Sequence, residues 1–149
     1  MAAPIANAVV IDTNVVLDLF VFDDPMVSTL RDALTAGAVT WIASQAMREE
    51  LCRVLTYPHL VRRLGATPPD QVLASFDRHV HTVDPAPRAP FTCRDPDDQR
   101  YIDLATAHTA TLLSKDLKVL ALSRRMARIG VQVCRHWPPP APGPEKIAA

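Results

Sequence analysis

Ala8-Val9-Val10-Ile11 runs directly into Asp12-Thr13-Asn14, and this stretch decides the fold. Four consecutive apolar residues indicate a strand covered on both faces, as in a parallel sheet. Ligands of open α/β sheets bind beyond the carboxyl ends of such strands, so Asp12 lies where an active site is expected. A structural role is equally open at this point, because Asp12 or Thr13 would also suit the cap of the following helix.

The rest of the chain alternates between predicted strands and predicted helices. Apolar runs predict four further strands, at residues 39–43, 80–83, 111–114 and 131–134. Helical spacing recurs between them in seven segments, at residues 14–22, 25–36, 45–55, 58–65, 68–79, 97–110 and 117–126. This order predicts an α/β domain in which helices cover both faces of a parallel sheet.

Length and composition favour a single domain followed by a tail. The chain has 149 residues, of which 48% are hydrophobic, and this is enough apolar material for one core. From residue 138 onward proline dominates, and such a sequence neither forms ladder hydrogen bonds nor buries much surface. We therefore predict a domain over residues 1–137 and a disordered tail over residues 138–149.

Charge and cysteine content bear on partners and location. The charges of sixteen basic and sixteen acidic residues cancel, so net charge does not indicate a nucleic-acid partner. A local basic patch remains possible. The three cysteines are widely spaced and match neither a zinc motif nor a disulfide framework. The sequence shows no signal peptide and no apolar run of about 18 residues. Together these features predict a cytoplasmic protein without a membrane span.

Four carboxylates occupy similar places relative to the predicted elements. One follows the first strand, one lies on the helix after the second strand, one opens the helix after the proline-rich loop, and one follows the strand at 111–114; they are Asp12, Glu50, Asp98 and Asp116. Gathered at one rim of a sheet, like charges repel unless a cation neutralises them. Carboxylate oxygens favour Mg²⁺ or Mn²⁺ over zinc, and such ions activate water at phosphodiesters.

Four motifs in order carry a family resemblance. They are Ile11-Asp12-Thr13-Asn14, the helix from Ser44 through Glu50-Leu51, Cys93-Arg94-Asp95-Pro96-Asp97-Asp98, and Leu113-Ser114-Lys115-Asp116-Leu117. Together they resemble the PIN domain, and more narrowly the toxin components of bacterial and archaeal toxin–antitoxin pairs, over roughly residues 8–134.

The resemblance implies a fold, an activity and partners. The fold would be a three-layer α/β/α sandwich around a parallel sheet, and the activity would be Mg²⁺- or Mn²⁺-dependent cleavage of single-stranded RNA by an endoribonuclease. Carried over by position, the catalytic and metal-binding residues would be Asp12, Glu50, Asp98 and Asp116, supported by Asn14 and Ser114. A homodimer and an antitoxin protein would be the partners.

Neighbouring acids compete for two of these roles. Leu51, Val54 and Leu55 set the inward stripe of their helix, and Glu50 lies nearer its edge than Glu49, which favours Glu50. Asp98 is preferred over Asp95 and Asp97, which suit the turn and the N-cap. Three more acids are predicted to lie on helix surfaces or at caps, namely Asp18, Asp23 and Asp24.

Basic residues offer a weaker signal for RNA. Phosphate contacts supply much of nonspecific affinity, but a solvated helix face explains the same residues equally well. The candidates are Arg62, Arg63, Lys115, Lys118, Arg124, Arg125 and Arg128.

Two alternatives to the nuclease remain open from sequence. The first is a catalytically idle binding module whose acidic rim receives a basic residue of a partner protein. The second is a phosphatase that uses Asp12 as nucleophile, because a strand followed by Asp-x-Asp marks such enzymes; here Asn14 replaces the second aspartate.

Overall fold

A computed structural model describes residues 5–22 and 24–140. Their five strands are β1 (Ala8–Ile11), β2 (Thr40–Ala43), β3 (Val80–Thr82), β4 (Thr111–Leu113) and β5 (Val133–Cys134). They form one parallel sheet in the order β3-β2-β1-β4-β5. The predicted fold class is confirmed: the sheet is the central layer of an α/β/α sandwich.

Eight α-helices belong to the described residues. They are α1 (Thr13–Phe20), α2 (Ser28–Thr35), α3 (Gln45–Val54), α4 (Pro58–Leu64), α5 (Pro69–His79), α6 (Gln99–His108), α7 (Leu117–Leu120) and α8 (Ser123–Ala127). Helices α1 and α5 both pack on α3, whereas α6 packs on β1 and β4. Within the part of the chain that the structure describes, no helix is long and apolar enough to cross a membrane.

The core forms around the central strand. All four residues of β1 are buried, as expected for a strand that is covered on both faces. Trp41 of β2 packs edge-on against Phe76 of α5, with ring centroids 5.2 Å apart, and stacks on Phe20 of α1 at 5.9 Å. These contacts fix α1 and α5 on the sheet, and so set the direction in which the chain leaves β1.

Local chemistry moves several predicted boundaries. Two predicted helices, at 25–36 and 97–110, begin as 3₁₀ turns at Pro25–Val27 and Pro96–Asp98. In each, an aspartate before the proline accepts a hydrogen bond from the N–H two residues on, which closes a tight turn. The predicted helix at 117–126 is wrong as one element, because residues 121–122 form a turn between α7 and α8. The last strand is shorter than predicted.

The predicted tail is only partly described. Residues 138–140 belong to the described chain, and residues 141–149 lie outside it, as does Asp23, a predicted surface or capping residue. The boundary at residue 137 therefore stays a prediction.

Candidate metal centre

Asp12 is held at the carboxyl end of the central strand. Its backbone N–H donates to the carbonyl of Leu113 at 2.9 Å, which brings the ends of β1 and β4 together. The residue after β4 is Ser114, fully buried, and its Oγ donates to Asp12 Oδ2 at 2.7 Å. Asp12 occupies the N-cap position of α1 without a side-chain capping hydrogen bond. The buried hydroxyl of Ser114, which follows the neighbouring strand, thus fixes the position of the carboxylate.

Glu50 on α3 is held by two hydroxyl groups. Thr13 Oγ1 and Tyr101 OH each lie 2.6 Å from Glu50 Oε2, and the two hydroxyl oxygens lie 2.7 Å apart. Burial and the negative charge of Glu50 raise the pKa of Tyr101 above its ordinary range, so this phenol remains a donor. The beginning of α1, the middle of α3 and the first turn of α6 therefore meet at one carboxylate.

Asp98 and Asp116 approach each other from the N-terminal ends of α6 and α7, where each is the N-cap residue. Together with Asp95, each offers one carboxylate oxygen, and these three oxygens lie within 4.8 Å of one another. Asp116 caps α7, since its Oδ1 accepts from the N–H of Lys118 at 2.8 Å, and its own N–H donates to Ser114 Oγ at 3.1 Å. Ser114 thus bonds to both Asp12 and Asp116.

Burial and neighbouring negative charge both raise the pKa of acids in this region. The pKa of Asp98 is raised to about 7, first by partial burial and then by the charges of Asp12, Asp116 and Asp95. Burial also raises the pKa of Asp12, with further contributions from Glu50 and Asp116, while hydrogen bonds from the Ser114 hydroxyl and the Asn14 backbone N–H lower it. We call Asp12, Glu50, Asp98 and Asp116 the acidic edge of the sheet.

The raised pKa of Asp98 makes the free energy of unfolding depend on pH. The ordinary pKa of an aspartate is 3.8, below the value of about 7 for Asp98 in the folded chain. The native state therefore holds a proton that the unfolded chain releases, in a window from roughly pH 4 to pH 7. Without a cation, the contribution of Asp98 to stability falls as the pH rises through this window. Above the window, the folded chain bears the full free-energy cost of an ionised Asp98.

The residues of the acidic edge fit a hard divalent cation. They offer only carboxylate oxygens, the ligands that Mg²⁺ and Mn²⁺ prefer, and oxygens of Asp98 and Asp116 lie within 4.8 Å of each other and of an Asp95 oxygen.

Comparison with known proteins places the chain in a family. A family model described as PIN domain matches residues 8–118, well over half of the chain. The chain belongs to the PIN domain family. No curated protein matches it. PIN domains are generally nucleases that use divalent metal ions, and the matched segment contains the whole acidic edge.

Within this PIN domain, the structure separates the acids that compete in sequence. Glu50 accepts both hydroxyl hydrogen bonds, whereas Glu49 is exposed on the same helix. Asp97 is exposed as well. Asp95 does accept a hydrogen bond from the N–H of Asp97, as predicted for a capping residue, but it also contributes an oxygen to the cluster with Asp98.

The two predicted supporting residues are placed differently. Ser114 contacts Asp12 as the prediction requires. Asn14 is exposed, and among the described residues its side chain makes no hydrogen bond to a carboxylate of the acidic edge. It lines a neighbouring cavity instead. The prediction that the Asn14 side chain orients these carboxylates therefore stays a prediction.

Sequence reasoning missed the groups that hold Glu50. The sequence predicts a possible capping role for Thr13 and assigns Tyr101 no hydrogen-bonding role. A signal did exist, because a buried tyrosine hydroxyl needs a hydrogen-bond partner, and Tyr101 is 1% exposed.

The prediction that Asp18 lies on a helix surface is wrong. Asp18 is buried, and Lys115 Nζ lies 2.7 Å from its Oδ2. Burial of a carboxylate requires such a partner. This ion pair ties α1 to the loop between β4 and Asp116.

Proposed function

We propose that this PIN domain is an endoribonuclease that cleaves single-stranded RNA with Mg²⁺ or Mn²⁺. Asp12, Glu50, Asp98 and Asp116 are the catalytic carboxylates and would hold the metal, with Ser114 and Asn14 in support. The observation that carries the proposal is the convergence of carboxylates, because one oxygen each of Asp95, Asp98 and Asp116 lies within 4.8 Å of the other two. Partial burial, followed by the charges of Asp12, Asp116 and Asp95, raises the pKa of Asp98 to about 7. Such an unfavourable arrangement is expected at a functional site rather than in a merely structural network.

Each side chain has a definite task in this proposal. A divalent cation, when bound, supplies a polarised water and stabilises charge on the phosphodiester oxygens. Asp12 presents its carboxylate from a rigid strand end because Ser114 bonds to one of its oxygens. The hydroxyls of Thr13 and Tyr101 fix the position of Glu50. Asp98 and Asp116 contribute further oxygens, and Asp95 adds an acceptor within 4.8 Å of both.

The test is cleavage of labelled single-stranded RNA in the presence of Mn²⁺. We expect Asp12→Asn and Asp98→Asn to abolish cleavage while the thermal unfolding transition remains. Glu49→Gln and Asp97→Asn are matched controls, because both acids are exposed neighbours of the proposed ligands and should retain activity. Full activity of Asp12→Asn, or activity in EDTA, would remove the proposal.

Other outcomes of the same experiment point to the alternatives. Mn²⁺ binding without turnover of any RNA would favour the idle binding module. Hydrolysis of a phosphomonoester, together with a phosphorylated Asp12, would favour the phosphatase.

We further propose that the protein is the toxin of a toxin–antitoxin pair and forms a homodimer. The support for both is the resemblance of its four motifs to toxin PIN proteins. Induced expression should arrest growth of the host cell, Asp12→Asn should not, and light scattering should give twice the chain mass. Growth unaffected by an active nuclease would oppose the toxin role.

A further inference from the structure

A second feature lies beside the acidic edge, and none of the four proposed metal ligands lines it. It is a cavity of about 270 Å³ between α1, α3 and α4. Asn14, two residues after Asp12, forms part of its wall, and so does Val54, which is one helical turn after Glu50 on the same side of α3. A strand of RNA bound across Asp12 and Glu50 would therefore reach this cavity next.

The wall of this cavity combines rings with a cation. Tyr57 is 44% exposed, and its ring centroid lies 6.0 Å from that of His59, with the planes inclined by 32°. On the other side, the Arg63 guanidinium lies 4.1 Å from the centre of the Phe22 ring. Exposed flat rings next to a guanidinium are the groups on which unpaired bases stack.

Polar groups at the cavity are free for a ligand. In the described part of the chain, neither the Asn14 amide nor the Tyr57 hydroxyl has a hydrogen-bond partner from another side chain. An amide can pair with the edge of a base, and a guanidinium can contact a phosphate. Leu17 and Leu60 supply an apolar floor, as ligand sites commonly have.

We propose that this cavity is a nucleoside subsite that binds one unpaired base of the RNA beside the phosphate at the acidic edge. Tyr57 and His59 stack on the base, Asn14 contacts its edge, and Arg63 contacts an adjoining phosphate. Pockets that hold drug-sized ligands typically have volumes of about 300–1,000 Å³. At about 270 Å³ this cavity is slightly smaller, so we expect it to hold one base rather than a longer segment of RNA. The inference rests on the proposed nuclease function.

The first arm of the test measures RNA affinity in EDTA, where the proposed cleavage cannot occur. The probes are fluorescent single-stranded oligoribonucleotides of uniform base, followed by anisotropy with the full chain. Loss of one stacking or phosphate contact should weaken binding about tenfold in Tyr57→Ala and Arg63→Ala. Arg62→Ala is the matched control, since Arg62 is an exposed neighbour outside the cavity wall, and its effect should stay below about threefold.

The second arm locates the base directly. Single-stranded RNA containing bromouridine, irradiated on the wild-type chain, should cross-link to the peptide that contains Tyr57 and His59. Asn14→Ala should change the order of affinity among the uniform oligoribonucleotides, because an edge contact distinguishes bases whereas stacking does not.

The two arms separate this inference from the proposed activity. Cross-linking at Tyr57 in a chain that never cleaves RNA would support the subsite and refute the nuclease. Cleavage that depends on Asp12, with unchanged affinity in Tyr57→Ala and Arg63→Ala, would refute the subsite and leave the cavity to a protein partner. Circular dichroism of each variant excludes unfolding as the cause of a loss.

Discussion

Replacing Tyr101 by Phe removes one oxygen atom from the least expected part of the site. The ring, which is 1% exposed, keeps its packing, while Glu50 Oε2 loses a donor at 2.6 Å and Thr13 Oγ1 loses a neighbour at 2.7 Å. The substitution therefore tests whether Tyr101 positions Glu50, with little change elsewhere.

The expected size of the effect follows from these contacts. A hydrogen bond to a charged group contributes about 1.5–3 kcal/mol. Because Thr13 continues to donate to Glu50, we expect a loss at the low end, about 1.5 kcal/mol, in the free energy of unfolding. For a chain of this size that lowers Tm by about 3–6 °C. A less firmly held ligand should also weaken Mn²⁺ binding about tenfold.

Two measurements on the same variant check these values. Thermal unfolding followed by circular dichroism reports stability, and isothermal titration calorimetry reports Mn²⁺ affinity. Tyr57→Phe is the matched control, since Tyr57 is 44% exposed and its hydroxyl is not one of the two that bond to Glu50, so both values should stay near wild type. Wild-type Mn²⁺ affinity in Tyr101→Phe would refute the positioning role, even if stability fell.

For three further substitutions, the structure predicts whether stability rises or falls. Asp98→Asn should raise Tm of the metal-free chain at about pH 8 and leave it unchanged near pH 4, because the wild type bears the cost of ionising Asp98 only above that window. Ser114→Ala should lower stability by about 1–3 kcal/mol, since the buried Asp12 carboxylate loses its donor. Lys115→Met should lower Tm, because it leaves Asp18 buried without its partner.

Matched controls exist for each of the three. Asp97→Asn, Ser123→Ala and Lys118→Met change neighbouring or similar residues outside these contacts and should stay near wild type. For Asp98→Asn, an equal Tm difference at both pH values would contradict the charge argument. For Ser114→Ala and Lys115→Met, wild-type unfolding curves would show that the two contacts do not stabilise the fold.

The fold was predictable because its signals are local. The buried run at residues 8–11, the alternation of periodicities and the glycines after α2 and α4 each act within a few residues, and the structure confirms the sheet and its helices. The 3₁₀ turns were not foreseen, since a proline-led helix and a proline-led turn begin with the same residues. The choice depends on the hydrogen bond to Asp24 or Asp95.

The site was predictable only to the level of its acids. Parallel strands present their carboxyl ends at one edge, so Asp12 and Asp116 could be placed together from topology. The hydroxyl contacts of Glu50 depend on how α3 and α6 pack, which no spacing within either helix encodes. The same reason explains the wrong prediction for Asp18, because its ion pair with Lys115 joins residues that are far apart in the sequence.

The most direct test of the central idea is a crystal of the full chain soaked in Mn²⁺, examined by anomalous diffraction. We expect an anomalous peak at the acidic edge within ligand distance of Asp98 and Asp116, with Asp12 and Glu50 facing it. An ordered acidic edge without such a peak in saturating Mn²⁺, or a peak bound only elsewhere, would contradict the account.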